Sequence, residues 1–210
     1  QFEIHKKHGL NPLYFILIGD LGKFDRNLNH NNPHFIDLIK KIAYRYRVGL
    51  HPSYESNNNT KLIIKEKERL EKITKQHIDF SRQHFLKLKL PETYHNLIAN
   101  GIKEDFSMGY SKENGFRASI CCPFYFYDLK NEQMTDLLVH PFCIMDSTMK
   151  YYMKIRSKDV IYSVKPLIKQ VKNMGGELVT VFHNESLGTH KIWKNWGDVY
   201  ENIVKAALPR

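Results

Sequence analysis

The sequence predicts an α/β protein whose strands are parallel and form an irregular (β/α)7-type barrel. Short apolar runs alternate with amphipathic helical patterns along all 210 residues, as in proteins built from strand–helix units. Acidic residues, histidines and an arginine follow the predicted strands. The active sites of α/β barrels lie at the carboxyl ends of their strands. An open, doubly wound sheet is the alternative, but no Gly-rich phosphate loop follows any strand. The strand-end residues are Asp20, His51, Arg82, His84, Asp105, Asp146, His183 and Glu185.

The predicted strands are short and mostly apolar. Residues 13–18 form a continuous run of branched and aromatic side chains, which is typical of a buried parallel strand. The segment 115–129 is rich in aromatic residues and is predicted to be irregular. The predicted strands are 13–18, 48–50, 80–86, 102–108, 140–146 and 178–182.

The predicted helices each place apolar residues on one face. Asn32 and Pro33 supply an N-cap and a proline at the first helical position. The opening residues have the pattern of a helix end capped by Gly9, so we expect one barrel strand to lie upstream of Gln1. The predicted helices are about 33–46, 61–77, a short helix after Pro91, 158–174 and 196–207.

Composition excludes several classes of protein. With 42% hydrophobic and 26% charged residues the chain is globular, and its length predicts a single domain over residues 1–210. No apolar run is long enough to span a bilayer, and the first residues do not form a signal peptide. Cys121, Cys122 and Cys143 fit neither a metal spacing nor a disulfide framework, which favours reduced thiols and a cytoplasmic location.

The net charge of +10 raises the question of a nucleic-acid partner. Charges of both signs alternate over residues 65–69, and Glu68 and Lys72 have the spacing of a solvated helix pair. The sequence contains neither a zinc-finger spacing nor an aromatic RNA-binding run. We therefore expect no nucleic-acid partner, whereas an anionic substrate would suit the charge.

Two segments contain candidate metal ligands. His51 ends a strand and precedes Glu55 by four residues, and imidazole with carboxylate is a ligand mixture that suits zinc. Strand alternation places Arg82 and His84 on the same side, where Arg82 can bind a carboxylate bidentately and His84 can reach metal or substrate. The alternatives are that His51 has a structural role and that Glu55 is a loop carboxylate. For Arg82 and His84, the alternative is an edge strand on which both side chains face solvent.

A third segment contains a candidate proton donor. His183 follows the apolar run 178–182, and a histidine at this place can act as a general acid because its pKa lies near working pH. Asp105 and Glu185 are the two candidates for the carboxylate that orients it. The alternative is a packing histidine with a backbone partner.

In chain order these segments resemble the motifs of the bacterial polysaccharide deacetylases of the NodB-homology type. The second motif corresponds to residues 48–55, where His51 matches the first metal ligand. Glu55 stands where the family has its second histidine, so the resemblance implies that Glu55 or His84 replaces it or that metal binding is weakened. Residues 81–85 are similar to the third motif, which implies that Arg82 orients the catalytic base.

The resemblance extends to the last two motifs. It implies that Asp105 tunes the catalytic histidine and that His183 is the general acid. The first motif, which supplies the base and a metal-binding aspartate, is expected upstream of Gln1. The 210-residue chain is therefore expected to have little or no activity by itself.

The resemblance implies a metal-dependent hydrolysis of N-acetyl or O-acetyl groups on a polysaccharide or amino sugar. The implied cofactor is a divalent metal, zinc first and cobalt or nickel as alternatives. The departures at Glu55 and His84 favour a second hypothesis, an inactive relative that binds glycans. The predicted substrate-binding residues are Ser53, Tyr54, Phe85, Phe124, Glu185 and Trp193.

Overall fold

The computed structural model describes residues 2–188 and 190–208 and divides into two compact units. The sheet unit comprises Asn11–Ser107 and Phe124–His140. The two-strand unit comprises Gln1–Leu10, Met108–Pro123 and Pro141–Arg210. The single domain expected from chain length stays a prediction.

The sheet unit contains a six-stranded sheet in the order β1-β2-β3-β4-β6-β5. All neighbouring strands are parallel except β5, which pairs antiparallel with β6. A closed barrel is not shown by the described strands. The strands are β1 Tyr14–Ile16, β2 Val48–Leu50, β3 Phe80–Ser81, β4 Glu104–Asp105, β5 Phe124–Asp128 and β6 Gln133–Val139.

The helices agree closely with the sequence patterns. Asn32 caps α2 by accepting the backbone N–H groups of His34 and Phe35. The apolar stripe of α2 buries Ile39 and Ile42. The helices are α1 Phe2–Lys7, α2 Pro33–Ala43, α3 Thr60–Thr74, α4 Glu92–Ala99, α5 Val160–Met174 and α6 Trp196–Ala207.

The two-strand unit is built on one short parallel pair, β7 Ile144–Met145 and β8 Thr180–Val181. Its core includes β7, α5 and α6, with Trp193 and Trp196 in edge-to-face contact at a centroid distance of 5.1 Å. The parallel pairing brings the residues that follow β7 and β8 to the same end of the pair.

The structure corrects the prediction for residues 115–129. Phe124–Asp128 forms β5, in which Tyr125 and Tyr127 are exposed while Phe124 and Phe126 are partly buried. This alternation is a strand pattern with a period of two, and the aromatic richness of the segment obscured it.

The predicted strand 80–86 is also shorter than expected. Only Phe80–Ser81 pairs in the sheet, and His84–Leu86 forms a 3-10 turn. Phe85 and Leu86 have φ values of 57° and 51°, in the left-handed region, so the chain cannot continue as a strand.

Candidate functional site

The parallel sheet gathers several predicted residues at one edge. Strands β2, β3 and β4 are neighbours and run in the same direction, so His51, Arg82 and Asp105 lie at their common carboxyl end. This is the arrangement that the strand-end pattern predicts. His84 follows β3 in the 3-10 turn and joins the same group.

His51 and His84 form a pair whose ring centroids are 5.0 Å apart. The Nδ1 of His51 donates to the backbone carbonyl of Arg82. The Nδ1 of His84 lies 2.8 Å from Oδ1 of Asp25, a donor–carboxylate contact. With Nδ1 protonated, each neutral ring has its lone pair on Nε2, which is the nitrogen that can ligate a metal.

Asp25 is a site residue that the sequence analysis missed. Its side chain is buried, and both carboxylate oxygens accept the backbone N–H of Tyr54, at 2.9 and 3.1 Å. It therefore fixes His84 and the segment after His51 at the same time. No spacing marks Asp25 in the sequence, because its partners lie 29 and 59 residues away.

Glu66 of α3 is a second buried carboxylate near these residues. It accepts the hydroxyl of Ser53 at 2.5 Å and the amide of Ser53 at 2.9 Å. Burial raises the pKa of Glu66, although the two bonds from Ser53 oppose the shift. Ser53, which was predicted to bind substrate, is itself buried and belongs to this network.

The two histidines fit part of a metal site. Their Nδ1 bonds to a carbonyl and a carboxylate are the outer-shell contacts typical of metal-ligating histidines. A catalytic zinc takes about three protein ligands. Within residues 2–188 and 190–208, no group of three or more His, Cys, Asp or Glu side chains forms a metal site, and Glu55 is exposed. The metal ligands that this arrangement offers are thus the imidazoles of His51 and His84.

The sequence predicted that Arg82 can bind a carboxylate bidentately, but among the described residues its guanidinium has other contacts. Its Nε donates to the carbonyl of Phe106 at 3.0 Å, and its guanidinium lies 4.3 Å from the ring centroid of Phe15. Burial lowers the pKa of Arg82 to about 10, with the charge of Asp105 opposing the shift. The planar guanidinium is therefore held by a backbone carbonyl and an aromatic face.

Asp105 is fully buried between neutral donors. It accepts the hydroxyl of Ser81 at 3.2 Å, and the amide and hydroxyl of Ser107 at 2.9 and 2.8 Å. Burial raises the pKa of Asp105 despite these bonds. These contacts join the ends of β3 and β4 to the segment that follows β4.

Asp146 is the carboxylate that orients His183. Its Oδ1 lies 2.7 Å from Nδ1 of His183, and its Oδ2 accepts the His183 amide at 2.7 Å. The prediction of Asp105 or Glu185 for this contact is wrong, because Asp146 follows β7 and His183 closely follows β8 in the parallel pair. Burial opposes ionisation of Asp146, but the bonds from His183 and Ser186 outweigh it and lower its pKa.

The predicted substrate-binding residues differ in exposure. Phe85 is 60% exposed, Tyr54 and Phe124 are partly buried, and Glu185 is exposed. Trp193 is only 1% exposed and lies in the core of the two-strand unit. Its ring cannot stack on a sugar, so this prediction is wrong: the indole fills the space beside α5 and α6.

Comparisons with known proteins support the fold. No family model matches the sequence, and no curated protein matches it. A crystal structure from Mycobacterium smegmatis described as a "putative polysaccharide deacetylase" gives a TM-score of 0.64 at 12% identity. The alignment covers 98% of this chain and 68% of that one. The chain therefore has a deacetylase-like α/β fold with a parallel sheet, which confirms this part of the prediction.

A second structure is a peptidoglycan N-acetylglucosamine deacetylase in complex with 4-naphthalen-1-yl-N-oxidanyl-benzamide. It gives a TM-score of 0.40 at 15% identity and covers 85% of this chain and 77% of that one. The fold assignment rests on the first structure.

In the part of the chain that the structure describes, no helix is both long and apolar enough to cross a membrane.

Proposed function

We propose that this protein hydrolyses N-acetyl or O-acetyl groups on a polysaccharide or amino sugar. The observation that carries the proposal is the buried Asp146 bonded to His183, in a chain with a deacetylase-like fold. Such a pair is suited to proton transfer during acyl transfer.

His183 is proposed to protonate the leaving nitrogen or oxygen through Nε2. Asp146 accepts from Nδ1, so it holds the ring in one orientation and stabilises the imidazolium form. The lowered pKa of Asp146 keeps its carboxylate charged for this task. The ring of His183 is 43% exposed, which lets a substrate approach it.

His51 and His84 are proposed to hold a divalent metal through Nε2, with zinc as the first choice and cobalt or nickel as alternatives. A bound metal of this kind polarises a carbonyl and lowers the pKa of its water. The carbonyl of Arg82 orients His51, and Asp25 orients His84. Because Asp25 accepts the Nδ1 proton of His84, it fixes the tautomer that leaves Nε2 toward a metal.

Acetate release by the full-length protein tests the reaction. Tetra-N-acetylchitotetraose and acetylated xylan, each with added zinc or cobalt, are the N-acetyl and O-acetyl probes. We expect His183→Gln and Asp146→Asn to lower kcat by about 10²- to 10⁴-fold. His190→Gln, at an exposed histidine seven residues on, is the matched control. No acetate from either probe, or unchanged kcat in His183→Gln, would contradict the proposal.

Metal content, measured by mass spectrometry on the same protein, tests the metal site. We expect one equivalent in the wild type and loss in His51→Ala and His84→Ala. Asp25→Asn should weaken metal affinity by about 10- to 100-fold, because it disturbs the orientation of His84. His34→Ala, at an exposed histidine in α2, is the control. A metal-free wild type would contradict this part of the proposal and favour glycan binding without turnover.

A further inference from the structure

Three aromatic rings form an exposed group in the sheet unit, which we call the ring cluster: Phe24, Tyr54 and Phe85. The ring centroids are 4.3 Å apart for Phe24 and Tyr54, 5.6 Å for Tyr54 and Phe85, and 5.8 Å for Phe24 and Phe85. Phe85 is 60% and Phe24 37% exposed. Exposed apolar side chains that contact one another in this way form a patch that a ligand can cover.

The backbone holds the ring cluster in place. Asp25, which follows Phe24, accepts the amide of Tyr54 and so ties the first two rings together. Phe85 lies in the left-handed region at φ 57°, where non-glycine residues are uncommon and tend to occur at functional sites. The side chain of Asn57 donates to the carbonyl of Lys87 at 2.6 Å and fixes the end of this turn.

Two lysines lie against the ring cluster. The Nζ of Lys87 is 3.9 Å from the ring centroid of Tyr54, and the Nζ of Lys23 is 5.2 Å from that of Phe24. Cation–π attraction holds each ammonium group beside the exposed rings. Glu55 is the exposed carboxylate next to Tyr54 in the chain, whereas Asp25 is buried and bonded to His84.

The three rings have different roles in this arrangement. Tyr54 contacts both Phe24 and Lys87 and is partly buried, so it supports its neighbours. Phe85 presents the largest exposed ring surface, and its centroid is 4.7 Å from that of His84. A ligand on Phe85 would thus lie next to a proposed metal-binding histidine.

We propose that the ring cluster binds an anionic pyranose of the polysaccharide substrate. The apolar C–H face of the sugar stacks on Phe85 and Phe24, and its carboxylate or sulfate pairs with Lys87 and Lys23. Aromatic rings supply flat apolar surface at little conformational cost, and the lysines supply charge complementarity. This inference rests on the proposed function, since it names the substrate class for the proposed metal site at His51 and His84.

Calorimetric titration with oligosaccharides that carry no acetyl group tests the inference without requiring turnover. The probes are tetragalacturonate, its methyl ester and neocarratetraose sulfate. We expect the wild type to bind tetragalacturonate or the sulfate about tenfold more tightly than the uncharged ester. Phe85→Ala should weaken binding of the acid and the ester alike by about tenfold, because stacking does not depend on charge.

Lys87→Gln should weaken only the charged ligands and reduce the salt dependence of their binding. Tyr162→Ala and Lys165→Gln, at exposed positions of α5, are the matched controls and should bind as the wild type does. Near-ultraviolet circular dichroism checks that each variant is folded.

The outcomes separate the two proposals. Absence of binding by all three probes, or unchanged binding in Phe85→Ala, overturns the ring-cluster inference even if acetate release is found. If neither the acid nor the sulfate binds more tightly than the uncharged ester, the choice of an anionic sugar is overturned. If the charged ligands bind tightly and the variants behave as expected, but no acetate is released, the ring-cluster inference stands and the proposed deacetylation is rejected. Preference for the sulfate over the carboxylate supports the inference and identifies the anion.

Discussion

Three buried carboxylates differ in their ionisation because their partners differ. Glu66 and Asp105 are bonded to serine hydroxyls and backbone amides, and burial raises the pKa of both. Asp146 is bonded to His183, and there the bonds outweigh burial and lower the pKa. Neutral donors offset part of the desolvation cost, whereas an imidazole that can become charged offsets more of it. Asp146 is therefore the carboxylate of the three that is best suited to stabilise a cation.

Glu66→Gln tests this account at the residue scale. The glutamine can accept the Ser53 amide and donate to the Ser53 hydroxyl, so both contacts are kept without a charge. Because the folded-state pKa of Glu66 is raised, its contribution to stability is present below the unfolded-state pKa and is lost as pH rises through the folded-state value. The wild type should therefore lose stability relative to Glu66→Gln as the pH rises above about 4.5, the ordinary pKa of a glutamate.

Urea unfolding at a series of pH values measures this difference. We expect the change in relative free energy of unfolding to be on the order of 1 kcal/mol. Glu68→Gln, at an exposed position of the same helix, is the control. A constant difference would show that folding leaves the pKa of Glu66 unshifted, and a wild type that gains stability with rising pH would show that folding lowers it.

At the scale of elements, strand β2 depends on a glycine for its contact with β3. A Cβ built on Gly49 would lie 2.5 Å from two ring carbons of Phe80 and 2.8 Å from the Phe80 carbonyl oxygen. Both strands are buried at this point, and the carbonyl belongs to the backbone. Any side chain at position 49 must therefore push the neighbouring strands apart.

Gly49→Ala should lower the free energy of unfolding by about 1 to 3 kcal/mol, the usual cost of overpacking a core. Gly197 in α6 provides the opposite case, because an added Cβ there meets no atom within 4 Å. Gly197→Ala, in the first turn of α6, should raise stability by at most about 0.5 kcal/mol, less than in a helix interior. Chemical unfolding measures whether the free energy of unfolding falls in Gly49→Ala and rises in Gly197→Ala. The same change in both variants would refute the packing argument.

At the scale of the whole molecule, the net charge of +10 attracts polyanions, including nucleic acids. Several basic side chains pair with acids, such as Arg47 with Glu104 and Lys67 with Glu71. We therefore predict only weak, non-specific binding to duplex DNA.

Fluorescence anisotropy with a labelled 20-base-pair duplex measures this binding. We expect a Kd no tighter than about 10⁻⁶ M at physiological salt, which is the range of non-specific association. A much lower Kd that depends steeply on salt and on DNA sequence would instead identify the protein as a nucleic-acid binder. The oligosaccharide titrations give the affinity for smaller anions, with which the DNA affinity can be compared.

The sequence by itself determined the helices, the positions of β1 to β4 and the edge of the sheet at which chemistry is expected, but not β5 or β6. The apolar periodicity of α2 and α6 is local, so it can be recognised without tertiary contacts. Strand β2 was predicted with its observed bounds for a similar reason. His51 and His183 were identified because polar residues after buried strands are visible in the sequence.

The tertiary structure alone decided which side chains meet. Asp25 and His84 are 59 residues apart and Asp146 and His183 are 37 apart, so no local pattern connects them. Phe85 is exposed and Trp193 is buried, although the sequence predicted that both bind substrate. These outcomes depend on strand register and core packing. Both are set by contacts between segments that are distant in the chain, and local propensities do not specify them.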